Sequence, residues 1–179
     1  MNLDLPLFYF LNNAAGDAGV VDALIVFFAQ YLRYFLVLGF VLLWHFSDFE
    51  KKKKLRVFLV VTTSAIVARL GVTEFIRFLY HRPRPFVAYH VEQLIAENRW
   101  SFPSGHAALL FAMAMALYLY NKKWGIGFFI AACLVSIGRV AAGVHYPSDI
   151  IGGIAVGVGT AYTIFYLVEK KKIGGRYIQ

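Results

Sequence analysis

Five runs of apolar residues follow one another along the chain, separated by short segments rich in charged residues, proline and glycine. A helix needs about 20 mostly apolar residues to cross the roughly 30 Å of a bilayer core, so runs of this length predict transmembrane helices. The predicted spans are Val20–Trp44, Arg56–Tyr80, Gly105–Tyr120, Trp124–Ala142 and Asp149–Val168. The third run is short and alanine-rich, and it crosses only if its flanks contribute.

A shorter apolar segment, LDLPLFYFLNN, precedes the first span at residues 3–13. Asp4 and Pro6 suit the first turn of a helix, and Asn12 with Asn13 suits its end. A segment of this length is too short to span, so it predicts a helix lying in the membrane interface. The predicted fold class is therefore all-α: a membrane bundle of about five transmembrane helices plus an N-terminal interfacial helix.

Composition agrees with a membrane location. Hydrophobic residues make up 60% of the chain, above the half that is typical of soluble domains, and the mean hydropathy is +0.62. The net charge of +8 could indicate a nucleic-acid partner, but the lysines lie at the ends of apolar runs, as they do in membrane proteins. We therefore expect a lipid bilayer around the chain and no nucleic acid.

The distribution of basic residues predicts the topology. Every lysine lies in one of three clusters that a five-span chain places on one side of the membrane: Lys51–Lys54, Lys122–Lys123 and Lys170–Lys172. Positive residues favour the cytoplasmic side, so the N-terminus is expected outside and the C-terminus inside. The opposite side has arginines instead, and arginine binds phosphate oxygens in a bidentate way that lysine does not.

Three short polar patterns lie on that outer side. They are Arg77 with Arg84-Pro85 at the end of span two, Pro103-Ser104-Gly105-His106 at the start of span three, and Arg139, His145 and Asp149 between spans four and five. Alternating spans bring these ends to one membrane face. A helix that begins near Ser104 also points backbone N–H groups at an anion in front of it.

Each pattern taken alone has a simpler structural explanation. His145 and Asp149 could be a loop residue and a helix N-cap, His106 could be a buried histidine, and the arginines could pair with acidic residues or extend to the interface. Ionisable groups at membrane depth are costly, so their concentration on one face favours a functional site. A zinc site is less favoured, because several arginines would repel a cation and no HExxH pattern is present.

Phosphoryl transfer is the chemistry that these groups allow. Arginines and a helix N-terminus would stabilise the equatorial oxygens of the transferred group. One imidazole can attack phosphorus when an aspartate holds its other nitrogen. A second imidazole can protonate the leaving oxygen and later activate water.

The three patterns resemble those of the type-2 phosphatidic acid phosphatase family, which shares its site with vanadium haloperoxidases. The family pattern is a basic residue, six others and Arg-Pro; then Pro-Ser-Gly-His; then Ser-Arg, five others, His, three others and Asp. Segments 77–85, 103–106 and 138–149 match it, except that Arg77 replaces the usual lysine and Gly138 replaces the serine. The resemblance implies one membrane-embedded lipid phosphatase domain over residues 1–179, with its core motifs at 77–149.

The resemblance also implies a role for each site residue. His145 is the nucleophile that forms a phosphohistidine, Asp149 orients it, and His106 acts as general acid and then as base. The remaining site residues bind phosphate: Arg77, Arg84, Ser104, Gly105 and Arg139. No metal ion and no cofactor is implied.

The residues around the motifs carry further expectations. The segment Phe86–Phe102 is expected to roof the site, and a short amphipathic helix is expected within it at residues 91–97, VEQLIAE. His81 and Arg82 are interpreted as loop residues, with substrate contact as the alternative.

Two features concern packing inside the membrane. Gly153 and Gly157 lie four residues apart in span five and predict a close helix contact. Arg33 and Arg69 lie within spans one and two, and we expect them to form a polar network with Glu74, because an unpaired charge is costly there.

A site that opens between helices at the outer face favours a lipid phosphate as substrate. The layout resembles bacterial undecaprenyl diphosphate phosphatases, so the first hypothesis is removal of a terminal phosphate from undecaprenyl diphosphate at the outer face of a bacterial inner (cytoplasmic) membrane. Phosphatidylglycerophosphate and lipid A 1-phosphate are the alternatives. A non-catalytic lipid-binding or transport protein is more remote, because transporters usually show repeated halves and interrupted helices.

Overall fold

A computed structural model describes residues 4–17 and 19–174, and these residues form helices and loops without any strand. The helices in chain order are α1 (Asp4–Asn12), α2 (Val20–His45), α3 (Lys51–Leu79), α4 (Pro85–Ala88), α5 (Gly105–Tyr120), α6 (Lys122–Ala141) and α7 (Pro147–Gly174). The predicted all-α membrane bundle is confirmed. The predicted spans correspond to α2, α3, α5, α6 and α7.

Helix length separates the central span from the others. Helices α2, α3, α6 and α7 are long and apolar enough to cross a membrane, whereas α5 has 16 residues and reaches only about 24 Å at 1.5 Å per residue. Helix α5 packs against α3, α6 and α7, and ten of its 16 residues are buried. The short third span is therefore the core of the bundle, which its neighbours shield from lipid.

Small residues let α7 lie directly against α5. A Cβ atom added at Gly153 would come within 2.6 Å of the Ser104 carbonyl oxygen, and one at Gly157 within 2.5 Å of the Ala108 carbonyl oxygen. The predicted close contact is confirmed. It places the start of α7 beside the start of α5, where the Ser104 N–H donates to the Asp149 carbonyl oxygen at 2.9 Å.

Two of the long helices contain a π-helical turn, at Phe27–Tyr31 in α2 and at Val67–Val72 in α3. Such turns are rare and often lie at functional sites. The turn in α2 packs against α6, where a Cβ atom at Gly138 would lie 2.9 Å from the Ala29 backbone nitrogen. A glycine at 138 is therefore needed for α2 to approach α6 this closely.

Helix α1 is docked on the bundle through one face. Phe8 and Asn12 are buried, and the Asn12 side-chain amide donates to the carbonyl oxygens of Glu92 at 2.8 Å and Ala141 at 2.9 Å. Phe10, on the other face, is 78% exposed. The helix thus has one side on α6 and α7 and an apolar side available to the membrane interface.

The loop between α4 and α5 lies over the end of the bundle where α5 and α7 begin, but the helix expected at residues 91–97 is absent. Tertiary partners take the backbone N–H groups that a helix would use: Leu94 N–H donates to the Ala142 carbonyl oxygen at 3.2 Å and Glu92 N–H to Asn12 Oδ1 at 3.2 Å. Gly143, with φ +77°, passes directly beneath this loop, and a Cβ atom there would meet the Glu92 carbonyl oxygen at 2.1 Å. The amphipathic prediction for this segment was wrong because long-range contacts replace the local helical ones.

Candidate active site

His145 and Asp149 form a buried pair where α6 passes into α7. His145 is 1% exposed, and its Nδ1 lies 3.3 Å from Asp149 Oδ2. The Tyr146 N–H donates to the same oxygen at 2.9 Å, which fixes the carboxylate within the first turn of α7. With Nδ1 bearing the proton that faces Asp149, Nε2 carries the free electron pair that a nucleophile needs.

Burial also sets the charge of this histidine. It lowers the pKa of His145 well below its usual value near 6.5, and Arg139 and Arg84 lower it further because they disfavour a second positive charge. His145 is therefore neutral at physiological pH. A neutral imidazole among arginines has both the electron pair and the electrostatic surroundings that attack on a phosphate requires.

Asp149 is held by two side chains that sequence reasoning did not assign to the site. Ser101 Oγ donates to Asp149 Oδ2 at 2.5 Å, and Arg82 Nη1 donates to Asp149 Oδ1 at 2.7 Å. Arg82 Nη2 in turn donates to Asp4 Oδ2 at 2.7 Å. Arg82 was interpreted as a loop residue, and it does lie between helices, but its guanidinium also binds the Asp149 carboxylate and links it to Asp4 in α1.

Asp4 contributes a further bond to this arrangement. Its Oδ1 accepts from the Ser148 N–H at 2.9 Å and its Oδ2 from the Ser148 hydroxyl at 2.6 Å. The first turn of α1 thus satisfies backbone and side-chain donors at the start of α7. Helix α1 is thus connected to His145 through Asp4, Arg82 and Asp149, and it helps to hold the Asp149 carboxylate against the imidazole.

Three arginines from the sequence motifs are almost fully buried: Arg77 at 4%, Arg84 at 3% and Arg139 at 1% exposure. Arg84 is the most firmly held, since its Nε donates to the Arg99 carbonyl oxygen at 2.6 Å and its Nη1 to the Val144 carbonyl oxygen at 2.7 Å. The same Nη1 lies 3.4 Å from His145 Nε2. Arg84 therefore lies beside the imidazole that the motifs predict as the nucleophile.

The charge of Arg84 is retained despite its burial. The pKa of Arg84 is lowered to about 10, because burial lowers it most, Glu97 opposes this shift, and Arg139 and Arg77 add to it. A pKa of about 10 still leaves the guanidinium protonated at neutral pH. The site therefore keeps its positive charge in a poorly solvated place, where electrostatic stabilisation is strongest.

Glu97, in the loop over the bundle, lies between two of these arginines. One carboxylate oxygen contacts Arg139 Nη2 and the other lies 3.4 Å from Arg84 Nη2. Burial alone would raise the pKa of Glu97, but Arg139 and Arg84 outweigh it and the pKa is lowered. A negative charge is thus favoured at this point, where the sequence motifs predict phosphate oxygens.

The Pro-Ser-Gly-His segment begins α5 as expected. Ser104 is the N-cap, and its hydroxyl accepts from the Ala107 N–H at 3.5 Å. At Gly105 a Cβ atom would lie 2.5 Å from Arg69 Nε, so a larger residue there would shift this arginine from its place across the helix start. The Pro103 carbonyl oxygen accepts from Arg77 Nη2 at 3.0 Å, which joins the first and second motifs.

The expected polar network within the membrane is correct for one arginine and wrong for the other. Arg69 contacts Glu74, whose Oε1 also lies 3.2 Å from Arg77 Nη1. Arg33 contacts His106 Nε2 instead, across 73 residues of sequence. Its position could not be foreseen, because nothing local to α2 indicates which helix it faces.

Comparison with known proteins identifies the family of this chain. Residues 53–173 match the family model described as the PAP2 superfamily. The chain belongs to the PAP2 superfamily. The resemblance drawn from the three motifs is confirmed, and the chain is a multi-pass membrane lipid phosphatase.

Relatives of this PAP2 chain include proteins matched over most of their length. The bacitracin transport permease protein BcrC of Bacillus licheniformis is 31% identical over 94% of this chain and 82% of its own. The undecaprenyl-diphosphatase BcrC of Bacillus subtilis (strain 168) is 27% identical over 91% of this chain and 83% of its own. The crystal structure of Aquifex aeolicus LpxE is 25% identical, with a TM-score of 0.70 over 92% of this chain and 96% of that chain.

Histidine and acidic side chains in this PAP2 site are paired with arginines and with one another. Among residues 4–17 and 19–174, no three His, Cys, Asp or Glu side chains cluster as metal ligands would. A cavity of about 350 Å³ opens beside the site and is lined by Gln30, Arg33, Ile95, Ala96, Glu97, Asn98 and Arg139. The cavity extends from the loop between α4 and α5 to the guanidinium groups of Arg33 and Arg139.

Proposed function

We propose that this PAP2 phosphatase removes the terminal phosphate of undecaprenyl diphosphate through a phosphohistidine formed on His145. The observation that carries the proposal is the buried His145, which has Nδ1 on Asp149 and Nε2 beside Arg84. An imidazole oriented in this way is a nucleophile rather than a structural histidine. The catalytic and phosphate-binding roles follow from that position.

In the first step, His145 Nε2 attacks the terminal phosphorus. The bond from this phosphorus to the bridging oxygen breaks, and its electron pair stays with the departing lipid monophosphate. His106 donates a proton to that oxygen as general acid. Asp149 stabilises the positive charge that develops on His145 as the new P–N bond forms.

In the second step, water attacks the phosphohistidine. His106, now neutral, accepts the proton from water as general base, and the P–N bond breaks with its electron pair returning to His145. Inorganic phosphate leaves, and both histidines return to their starting state. In both steps Arg77, Arg84 and Arg139, with Ser104 and the Gly105 N–H, bind the equatorial oxygens.

The choice of undecaprenyl diphosphate rests on the likeness to a Bacillus undecaprenyl-diphosphatase over 91% of this chain and 83% of that protein. A lipid A 1-phosphatase of Rhizobium etli is 40% identical over 57 residues, and this likeness supports a lipid A 1-phosphate as second candidate. A lipid substrate also suits a site placed within helices that carry large exposed apolar side chains, such as Tyr34, Phe75 and Phe78. We further propose that residues 1–179 are one catalytic domain in a bacterial inner membrane, with its site on the outer face.

Replacement of the nucleophile tests the mechanism. We expect His145→Ala to lower phosphate release from undecaprenyl diphosphate in detergent by at least about a thousandfold, since a covalent route needs this nitrogen. The control is His45→Ala, which removes an exposed histidine at the far end of α2 and should leave the rate unchanged. A folded His145→Ala protein that kept most of its activity would refute the assignment.

A substrate panel tests the lipid. Phosphate release is compared for undecaprenyl diphosphate, phosphatidylglycerophosphate, phosphatidic acid and lipid A 1-phosphate under one detergent condition. The proposal expects the highest kcat/KM for undecaprenyl diphosphate. A higher value for lipid A 1-phosphate would replace the first candidate by the second without affecting the catalytic residues.

A further inference from the structure

Arg33 is a cation beside the predicted general acid that none of the three motifs contains. One of its terminal nitrogens contacts His106 Nε2, and the other donates to the Tyr34 hydroxyl at 2.7 Å. Its buried Nε has no hydrogen-bond partner among the described residues. No carboxylate in that part of the chain forms an ion pair with Arg33, so its charge is available to a ligand.

The fold places Arg33 there through the packing of α2 on α6. The guanidinium lies two residues after the π-helical turn Phe27–Tyr31. Gly138 permits the close approach of that turn, and Arg139 is the next residue on α6. Arg33 therefore reaches the side of the site where His106 faces the leaving group, about 20 Å along α2 from its start at Val20 by the 1.5 Å rise per residue.

The cavity next to the site connects this cation to the predicted phosphate site. Arg139 and Arg33 both line it, together with the Gln30 amide one turn earlier in α2. A headgroup whose terminal phosphate lies against Arg139 and Arg84 would extend past His106 toward Arg33 and Gln30. Whether a cation at the position of Arg33 stabilises the leaving group depends on the charge of that leaving group.

Lipid monophosphates and lipid diphosphates differ in the charge of the group that leaves. Cleavage of a monoester releases an alcohol, which leaves neutral once His106 has protonated it. Cleavage of a lipid diphosphate releases a lipid monophosphate: the bridging P–O bond breaks, its electron pair passes to the proximal phosphate, and that phosphate already carries negative charge. A guanidinium beside His106 stabilises only the second leaving group.

We propose that Arg33, assisted by Gln30, binds the proximal phosphate and makes this site selective for lipid diphosphates over lipid monophosphates. The inference rests on the proposed function, in which His106 serves the leaving group. It assigns selectivity to α2, a helix that carries no part of the family motifs, and it leaves the nucleophile and the three motif arginines with the terminal phosphate.

A matched pair of substrates tests the proposal: farnesyl diphosphate and farnesyl monophosphate, which share one lipid chain. Arg33→Gln is expected to lower kcat/KM for the diphosphate by about tenfold or more, as expected for a lost charged hydrogen bond, and to change the monophosphate by less than about twofold. Arg33→Lys should recover part of the diphosphate rate because it keeps the charge. Arg56→Gln, at the other end of the bundle, is the control and should change neither substrate.

Inhibition constants test the binding role of Arg33 separately from its effect on the rate of hydrolysis. Methylenediphosphonate, a non-hydrolysable diphosphate, should inhibit Arg33→Gln about tenfold less tightly than the unmodified protein, while inhibition by vanadate is unchanged. An equal loss with both substrates, or no loss with the diphosphate, would overturn the proposal. Failure of the proposed function would instead be seen as hydrolysis that persists in His145→Ala with both substrates.

Discussion

At the scale of single residues, burial rather than position in a motif determines what the histidine can do. His145 is surrounded by arginines whose charges are held in place by backbone carbonyl oxygens, as for Arg84 with the Arg99 and Val144 carbonyl oxygens. The same burial that would be costly for a charged imidazole keeps it neutral, as the proposed nucleophilic role requires. The unprotonated Nε2 of His145 thus lies beside positively charged guanidinium groups while the imidazole itself stays neutral.

The protonation of His145 is a direct consequence that can be measured. Because its folded-state pKa lies well below 6.5, we expect the ring to be neutral at pH 6.0 and to accept a proton only at lower pH. Nitrogen chemical shifts of the ring in isotope-labelled protein report this state, and His145→Ala identifies the signal. A midpoint at or above 6.5 would contradict the electrostatic picture of the site.

At the scale of elements, α1 and the loop before α5 contribute more than membrane attachment and a roof. Asp4 in α1 contacts Arg82, and Arg82 contacts Asp149, so a helix at the start of the chain orients a carboxylate near its end. The loop contributes Ser101 to the same carboxylate and Glu97 to the arginines. Both elements hold groups that contact residues of the proposed active site.

Removing the contribution of α1 should slow catalysis without removing the substrate site. We expect Asp4→Asn and Arg82→Gln each to lower kcat by about 10- to 100-fold, the usual range for a partner that orients a ligand or catalytic group, while KM changes little. The reason is that Asp149 loses an orienting charge, whereas the phosphate-binding arginines are untouched. Steady-state phosphate release measures both constants.

The control for this pair is Asp17→Asn, which removes an exposed carboxylate in the turn after α1 and should leave kcat unchanged. Equal falls in kcat for Asp4→Asn and Asp17→Asn would attribute the effect to net charge. A rise in KM with constant kcat would place Asp4 and Arg82 in substrate binding instead.

At the scale of the whole molecule, the short helix α5 lies at the centre and the longer helices surround it. The starts of α5 and α7 meet at the same end of the bundle through the Ser104 and Asp149 backbone contact. The lysine clusters lie at the opposite helix ends, for example at the start of α3 and of α6. The site and the lysines are therefore expected on opposite sides of the membrane.

Cysteine labelling tests this orientation. In a Cys133→Ala background, Asn98→Cys should react with a membrane-impermeant maleimide added to intact cells, because the lysine clusters predict that the loop over the site is on the outer side. Lys122→Cys, at the start of α6, should react only after the membrane is opened. The reverse labelling pattern would show that the bundle has the opposite orientation, with the site on the cytoplasmic side of the membrane.

Local patterns in the sequence were enough to predict the spans, their order and the motif residues. Apolar runs determine where helices lie in a bilayer, and lysine clusters determine which ends share a side, because both depend on the transfer of each segment between water and lipid. The Gly153 and Gly157 contact was predictable for a related reason, since two small residues one turn apart leave a groove whatever packs there.

The tertiary structure alone decided the partners of the charged residues. Asp4 meets Arg82 across 78 residues, and Arg33 meets His106 across 73. The loop segment 91–97 has an amphipathic pattern but no helix, because Asn12 and Ala142 bind its backbone and Arg139 binds Glu97. Such contacts depend on how the helices rotate and approach one another, which a local sequence pattern does not specify. The residues proposed to orient Asp149 and to select the substrate could therefore be identified only in the packed bundle.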